Sequence, residues 1–494
     1  MEVSLNRQEK KWDLSTVLKQ LFTSMSEIEL KFSFLLQQIH PSQRTSAINL
    51  LHYLYLRSKD LETLQKELHL QGFSTFNNAE GYIQSQLFAV LQHFGFNSDG
   101  HVPCDYYAAQ KMAEERVTKL FGKTGKERVP SIMVTFKTSF ADDYLAVKKL
   151  LKSGMNVARI NCAHDDEATW LKMIKTIRDA SAFAGCACKI YMDLAGPKMR
   201  TRIKEKKNRI EVEEEDVILL TDKEEVKSKL PVVTCTLPGI IGQLKVGERV
   251  IFDDGMIETK IVNYHKDGVE LEVKRVSSKK PFLKTEKGIN FPDSNVRISA
   301  LSDFDRKCLP FIKEHADMVG YSFIHNSEDL KELQNLLNDS NFPIILKIET
   351  PDAMKDLPSL LFAAMNCPYY GVMVARGDLA VELGFENISE AQDEIISLCH
   401  AAHAPVIYAT QILESMNKKG LPTRAEVTDA AYGIWADCVM LNKGMHTAKA
   451  VKMLRKILVE KSRQVSGYHI VSKPLGICKT FFEKHSTKEM NAHT

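Results

Sequence analysis

From Val129 onward the chain alternates short apolar runs with amphipathic helical windows, and this alternation constrains the fold more than any other feature of the sequence. Repeated strand-then-helix units place their strands parallel in one sheet, because each crossover helix carries the chain back to the same end of the sheet. Eight apolar runs read as strands: SIMVTF, NVARIN, CKIYMDL, DMVGYSF, PIILKIE, YGVMVA, PVIYAT and DCVMLN. Each leads into a helical window except the third, which first enters residues 201–291, a stretch of period-two sequence such as RIEVEEEDVILL and VELEVKRV. With that insert set aside, residues 129–465 come close to the roughly 250 residues of a closed eight-unit barrel. The reading is therefore α/β: a (β/α)8 TIM barrel over 126–200 and 292–465, with a β-rich lid domain inserted at 201–291. An open doubly wound sheet is the alternative, but neither GxGxxG nor GxxxxGK[ST] follows any strand, so a bound nucleotide would have to be held by other means. The insert leaves the barrel at a strand's C-terminal end, where barrel active sites form, which makes it a lid; an inert loop elaboration is the plainer alternative.

Residues 1–125 read as an all-α N-terminal region, with apolar positions three and four apart in Leu14-Val17-Leu18-Leu21 and Leu61-Leu64-Leu68. The segment DLETLQKELHLQGFSTF has the outline of a helix-turn-helix, yet it is not notably basic, so ordinary helix packing is the better reading. Residues 466–494 read as a C-terminal tail. At 44% hydrophobic the chain is too apolar to be mainly disordered, and 66 Lys plus Arg against 63 Asp plus Glu leave no electrostatic footprint for nucleic acid or an anionic membrane. An anionic ligand must then be held by local charge. The charged opening MEVSLNRQEKKWDL lacks the apolar core of a secretory signal and no apolar run approaches a membrane span, so the expected location is the cytoplasm. Ten scattered cysteines, with only Cys186 and Cys188 close together inside an expected strand, read as reduced thiols.

A strand buried on both faces tolerates polar side chains only for a reason, and here they collect at strand ends. The second strand ends in Arg159 and Asn161, the third in Asp193, the fourth in Ser322, the fifth in Lys347 and Glu349 and the seventh in Thr410, while Asp378 follows the sixth. Residues two apart on a strand face the same side, so Arg159 with Asn161, and Lys347 with Glu349, project together. Any one of these could be a structural ion pair; their repetition at one mouth points to a site. Glu349 and Asp378 are hard oxygen ligands suited to Mg2+, and the absence of His or Cys beside them argues against zinc. Lys347 and Arg159 add fixed positive charge, which suits phosphoryl transfer; a carboxylate-binding lyase is the alternative and would need less cationic charge.

The motifs SGMNVARINCAH, MDLAGPKMRT, FDDGM, GINFP, ILKIET, VMVARGDLA and IYATQILESMNKKGLPTRAE occur in the order found in pyruvate kinases, and the chain resembles that family over about residues 129–465. The N-terminal region is similar only to helical extensions on some bacterial relatives. The resemblance implies transfer of phosphate from phosphoenolpyruvate to ADP, giving pyruvate and ATP, on a barrel with an inserted lid. It makes Lys347 the catalytic lysine, Glu349 and Asp378 the Mg2+ ligands, and Arg159, supported by Ser322, the grip on the phosphate. Backbone N–H groups around Gly377 and Asp378 would receive the substrate carboxylate, and Thr410 would relay a proton through water to the methylene carbon. His164, Arg200 and Lys287 stand where the family contacts nucleotide phosphates, with solvated surface charge as the alternative.

Three departures qualify the resemblance. The family's monovalent-cation site uses an Asn, a Ser hydroxyl and an Asp, whereas this chain has Asn161, Ala163 and Asp193. Lys198 stands where potassium-dependent members carry a glutamate, and its ammonium can replace the cation, so potassium is not expected to be required. LNKGMHTAKA replaces the family's LSGETA after the eighth strand, so Asn442, Lys443 and His446 take the place of small and acidic side chains. The chain also stops about thirty residues after the last barrel helix, where the family's effector-binding C-terminal domain would follow; regulation or homo-oligomer contacts are then expected of the N-terminal region, on its length and apolar stripes. Beside pyruvate kinase, two alternatives stay open: a diverged barrel enzyme acting on another enol phosphate or 2-oxo acid, and a non-catalytic ligand-binding regulator.

Overall fold

The computed structural model describes residues 13–97, 104–123, 129–204, 208–277, 281–294, 296, 299–463, 465–466 and 469–470. Eight strands, Ser131–Thr135, Val157–Asn161, Lys189–Asp193, Met318–Tyr321, Ile344–Ile348, Tyr370–Ala375, Val406–Ala409 and Cys438–Leu441, close into a barrel in chain order. All eight pairings are parallel, and closure comes from the first strand meeting the eighth through Ser131 opposite Cys438. The strands are apolar on both sides because both sides are buried: Met133, Val157, Tyr191, Ile345, Met373 and Ile407 fill the interior. Their neighbours Ile132, Val134, Ala158, Ile190, Leu346, Val372 and Val406 face the surrounding helices, so period two separates two cores. Helix starts are fixed locally, as where Ser302 with Asp305 and Thr423 with Glu426 form capping boxes.

Between the third and fourth barrel strands the chain builds a separate β unit from Thr201 to Asn290, with a seven-stranded sheet and a two-stranded one. Its centre is the hairpin of Ile257–His265 with Gly268–Val276, and its own core includes Ile218, Leu220, Val250, Phe252, Ile257 and Leu271.

The N-terminal helices Leu14–Lys31, Arg44–Arg57, Ile83–His93 and Tyr106–Phe121 share one apolar core with the barrel's helical layer. Asn49 donates to Ala401 O at 2.8 Å, Gln43 to Pro368 O at 2.8 Å, and Arg116 to Ala402 O at 3.1 Å and His403 O at 3.0 Å. Leu120 and Phe121, at the end of the last of these helices, join the barrel's interior core. Leu120 lies so near the start of the sixth strand that a Cβ on Gly371 would meet its Cδ2 at 3.0 Å, so the helix stoppers the barrel floor.

The helix Glu62–Leu70 is followed by Gly72, whose φ is +77°, and by a loop that runs to the short 3-10 helix Glu80–Tyr82 and the helix Ile83–His93, so the segment does not form a helix-turn-helix, in keeping with the reading as ordinary helix packing. One local expectation is corrected. The third strand begins at Lys189, leaving Cys186 and Cys188 just outside it. The nine cysteines among the described residues are free thiols. The expected tail lies outside the described residues beyond the short pairing of Val465–Ser466 with His469–Ile470.

Candidate active site

The C-terminal ends of the barrel strands surround a cavity of about 190 Å³ lined by Arg159, Asn161, Asp193, Lys198, Arg200, Ser322, Lys347, Glu349, Asp378 and Thr410 among others. The strand pleat aims Arg159, Asn161, Asp193 and Lys347 inward, Ser322, Glu349 and Thr410 follow directly on strand ends, Lys198, Arg200 and Asp378 come from the segments beyond, and the closed barrel brings these positions to one mouth.

The centre is a buried alternation of charge. Arg159 donates through Nε and Nη2 to Asp193 Oδ2 at 2.9 and 2.5 Å, and through Nη1 to Thr135 Oγ1 at 3.0 Å. Asp193 Oδ1 accepts the Tyr191 hydroxyl at 3.0 Å and faces Lys347 Nζ at 3.3 Å. Lys347 in turn donates to Ser322 Oγ at 2.6 Å and lies 3.0 Å from Glu349 Oε1. The Ser322 hydroxyl in turn donates to Leu194 O at 2.7 Å. Lys347 and Glu349 are 7% and 3% exposed, so neither charge could persist here unpaired.

The pKa shifts follow from this arrangement. Burial pulls against the Lys347 ammonium, yet Asp193 and Glu349 outweigh it and hold Lys347 above its usual value. Burial likewise disfavours the Asp193 carboxylate, but Lys347 and Arg159 keep it low. Glu349 goes the other way: burial and the negative charges of Asp378 and Asp193 raise it despite Lys347. The site therefore holds fixed cations and one carboxylate that would gain from a further positive charge.

Asp378 lies in the first turn of the helix Arg376–Leu383, and its Oδ1 accepts Lys198 Nζ at 2.7 Å. That contact raises Lys198 against the lowering effect of burial. The helix has no side-chain cap, so its first N–H groups have no side-chain acceptor, and Asp378 in that first turn lines the cavity. Gly377 is required by close approach, since a Cβ there would meet Thr410 Cγ2 at 2.8 Å. Thr410 and Gln411 have φ of +76° and +59°, a left-handed conformation costly for β-branched threonine. Arg376 braces this turn by donating to Ala409 O at 2.9 Å and Thr410 O at 2.7 Å, and is itself held by Asp429 at 2.6 and 3.0 Å.

The nucleotide-phosphate candidates are less closely gathered. Arg200 lines the cavity and donates to Glu286 O at 3.1 Å, while His164 lines a neighbouring cavity of about 300 Å³. Lys287 lines neither and is paired with Asp253 at 2.9 Å within the lid. Asn161 accepts the N–H of Ala163 at 3.0 Å. The sequence reading missed Thr135 and Tyr191, whose hydroxyls extend the charge network, and the Arg376–Asp429 brace. Arg376 lies inside the ARGDLA motif and was within reach; Thr135 and Tyr191 gave no signal, being ordinary strand residues.

Two carboxylates, Glu349 and Asp378, present oxygen to one cavity, and no group of three or more His, Cys, Asp or Glu side chains suited to a metal occurs among the described residues. Such a pair fits a cation that keeps water and substrate oxygens in its shell, not a cation caged by protein alone.

A closed (β/α)8 barrel with convergent carboxylates, ammonium groups and a guanidinium at its C-terminal mouth, beneath an inserted β unit, is a barrel enzyme for anionic substrates. The family model for the pyruvate kinase barrel domain matches residues 127–455. The chain is 35% identical over 328 residues to a pyruvate kinase of Encephalitozoon cuniculi, covering 64% of this chain and 72% of that protein. It is 32% identical over 339 residues to a pyruvate kinase of Thermotoga maritima, covering 67% and 70%, and 32% identical over 341 residues to one of Bacillus licheniformis, covering 64% and 57%. The chain thus spans between 57% and 72% of the length of these relatives, and it belongs to the pyruvate kinase family.

Proposed function

We propose that this chain transfers the phosphoryl group of phosphoenolpyruvate to ADP, giving pyruvate and ATP, with Mg2+ and without a requirement for potassium. The observation that carries this reading is the convergence of Arg159, Lys347, Glu349, Asp378 and Thr410 on one cavity. Arg159, fixed by Asp193 and Thr135, grips the phosphate, with Ser322 supporting through Lys347. Lys347 neutralises charge on the transferring group and on the enolate oxygen left when its P–O bond breaks and a bond to the ADP terminal oxygen forms. N–H groups at Gly377 and Asp378 receive the substrate carboxylate. Thr410 passes a proton by way of water to the methylene carbon, because a hydroxyl is too weak an acid to do so alone. Glu349 and Asp378 would hold Mg2+, which would supply positive charge to the phosphoryl oxygens.

Lys198 takes the part of the monovalent cation: its ammonium sits in the same cavity as Asn161 and Asp193, bonded to Asp378. His164 and Arg200 meet the nucleotide phosphates, and Lys287 joins them by exchanging Asp253 for phosphate. A cytoplasmic setting agrees with free thiols at the described cysteines, eight of which are buried. Among the described residues no helix is long and apolar enough to cross a membrane.

The test is pyruvate formation by the full chain from phosphoenolpyruvate, ADP and Mg2+, with and without potassium at matched ionic strength. Equal turnover is expected. Turnover only with potassium overturns the role of Lys198, and none in either condition overturns the activity.

A further inference from the structure

The second cavity, about 300 Å³, adjoins the first and shares Arg159, Asn161 and Asn442 with it. Its remaining wall includes His164 from the second strand's loop and Lys443 from the loop after the eighth strand. Of the two acidic groups lining it, Glu414 pairs through Oε1 with Lys418 at 2.5 Å, and Asp165 accepts the Thr138 hydroxyl at 2.7 Å. No ion pair of Lys443 occurs among the described residues, and with burial and Arg200 it disfavours a proton on His164. Besides Arg159, which is paired with Asp193, the lining carries Lys137, Lys418 and Lys443 against Asp165 and Glu414, which leaves an excess of positive charge at this wall.

The loop carrying Lys443 is held in place. Asn417, fully buried, donates through Nδ2 to Asn442 O, and its Oδ1 accepts the Thr447 hydroxyl at 2.9 Å. Its carbonyl accepts the His446 N–H at 2.9 Å. Gly444 closes the turn, since a Cβ there would fall 2.2 Å from Asn417 Oδ1. The clamp at both ends of so short a loop fixes the backbone from which the exposed Lys443 side chain extends, and so bounds where its ammonium can reach.

In the reaction proposed above the donor phosphate occupies the first cavity, so an acceptor lying in the second brings its terminal phosphate to the shared seam at Arg159 and Asn442. We propose that Lys443 reads the diphosphate of the nucleotide acceptor, a binding contact supplied by the residues that replace LSGETA in this chain. This assignment rests on the nucleotide lying beside His164.

The experiment measures binding of ADP and of AMP by calorimetry to the full chain and to its Lys443→Met and Lys443→Arg variants. Because the two nucleotides differ by one phosphate, a diphosphate contact predicts that Lys443→Met loses about tenfold or more in ADP affinity, with AMP affinity held and Lys443→Arg close to the parent. Equal losses for both nucleotides, no loss, or no ADP binding by the parent chain overturns the assignment. Pyruvate formation by the parent chain is read separately: its absence with the ADP-selective loss intact overturns the activity alone, whereas normal turnover without that loss overturns only the part given to Lys443.

Discussion

At the scale of single residues, the site is a set of buried charges that hold one another in position. Replacing Lys347 by Met keeps the volume but leaves Asp193 and Glu349 facing an apolar thioether. The chain should fold with unchanged circular dichroism while pyruvate formation falls by about a thousandfold or more, the scale of losing a charge aimed at a transition state; retention of turnover would refute the mechanism. A second residue is tied to pH. Burial foremost raises the Glu382 carboxyl from 4.5 to about 7, against the hydrogen bond it accepts from Asn290 at 2.7 Å. A raised acid contributes stability as its neutral form, so that contribution is full below 4.5 and is lost as pH rises through about 7. Glu382→Gln mimics the neutral form, so the parent's Tm measured relative to this variant should fall between about pH 5 and about pH 8. A difference that stayed flat or rose would show that the carboxyl is not held neutral.

At the scale of elements, the loop after the eighth strand depends on Asn417, a side chain with no exposed surface. Asn417→Ala removes two side-chain bonds and leaves the Asn442 carbonyl short of a partner, while the Thr447 hydroxyl keeps Gly444 O at 3.0 Å, at a cost of about 1–3 kcal/mol in urea unfolding; a cost under about 0.5 kcal/mol would mean the clamp is ornamental. This element also marks where sequence reading stops. The eight strands were legible because burial on both faces forces unbroken apolar runs, and the polar strand ends were legible because they break that rule. The lid was legible from its change of period at residue 201. Who pairs with whom was not: Lys198 meeting Asp378 across 180 positions and Lys287 being taken up by Asp253 depend on loop paths that no local pattern encodes. The left-handed backbone at Thr410 was equally hidden, because nothing in the composition of ATQILES announces it.

At the scale of the whole molecule, the N-terminal helices and the barrel are one body, since Phe121 is 1% exposed within the barrel's interior core. Phe121→Ala should cost about 3–5 kcal/mol, and hydrogen exchange should register it as lost protection along the barrel strands near Met133 and Ile345. Loss confined to the N-terminal helices would mean that the helix merely leans on the floor. The lid, with its own core, should keep its protection in the same experiment. Barrel closure through Ser131 and Cys438 also sets a schedule for biosynthesis. At a few to some tens of residues per second the ribosome delivers the eighth strand roughly 15–60 s after the first. During that interval Leu120, Phe121 and one edge of the first strand must wait without their final partners. The nascent chain is thus most in need of shelter before its last strand emerges, and a stall late in translation would be more damaging to it than one early on.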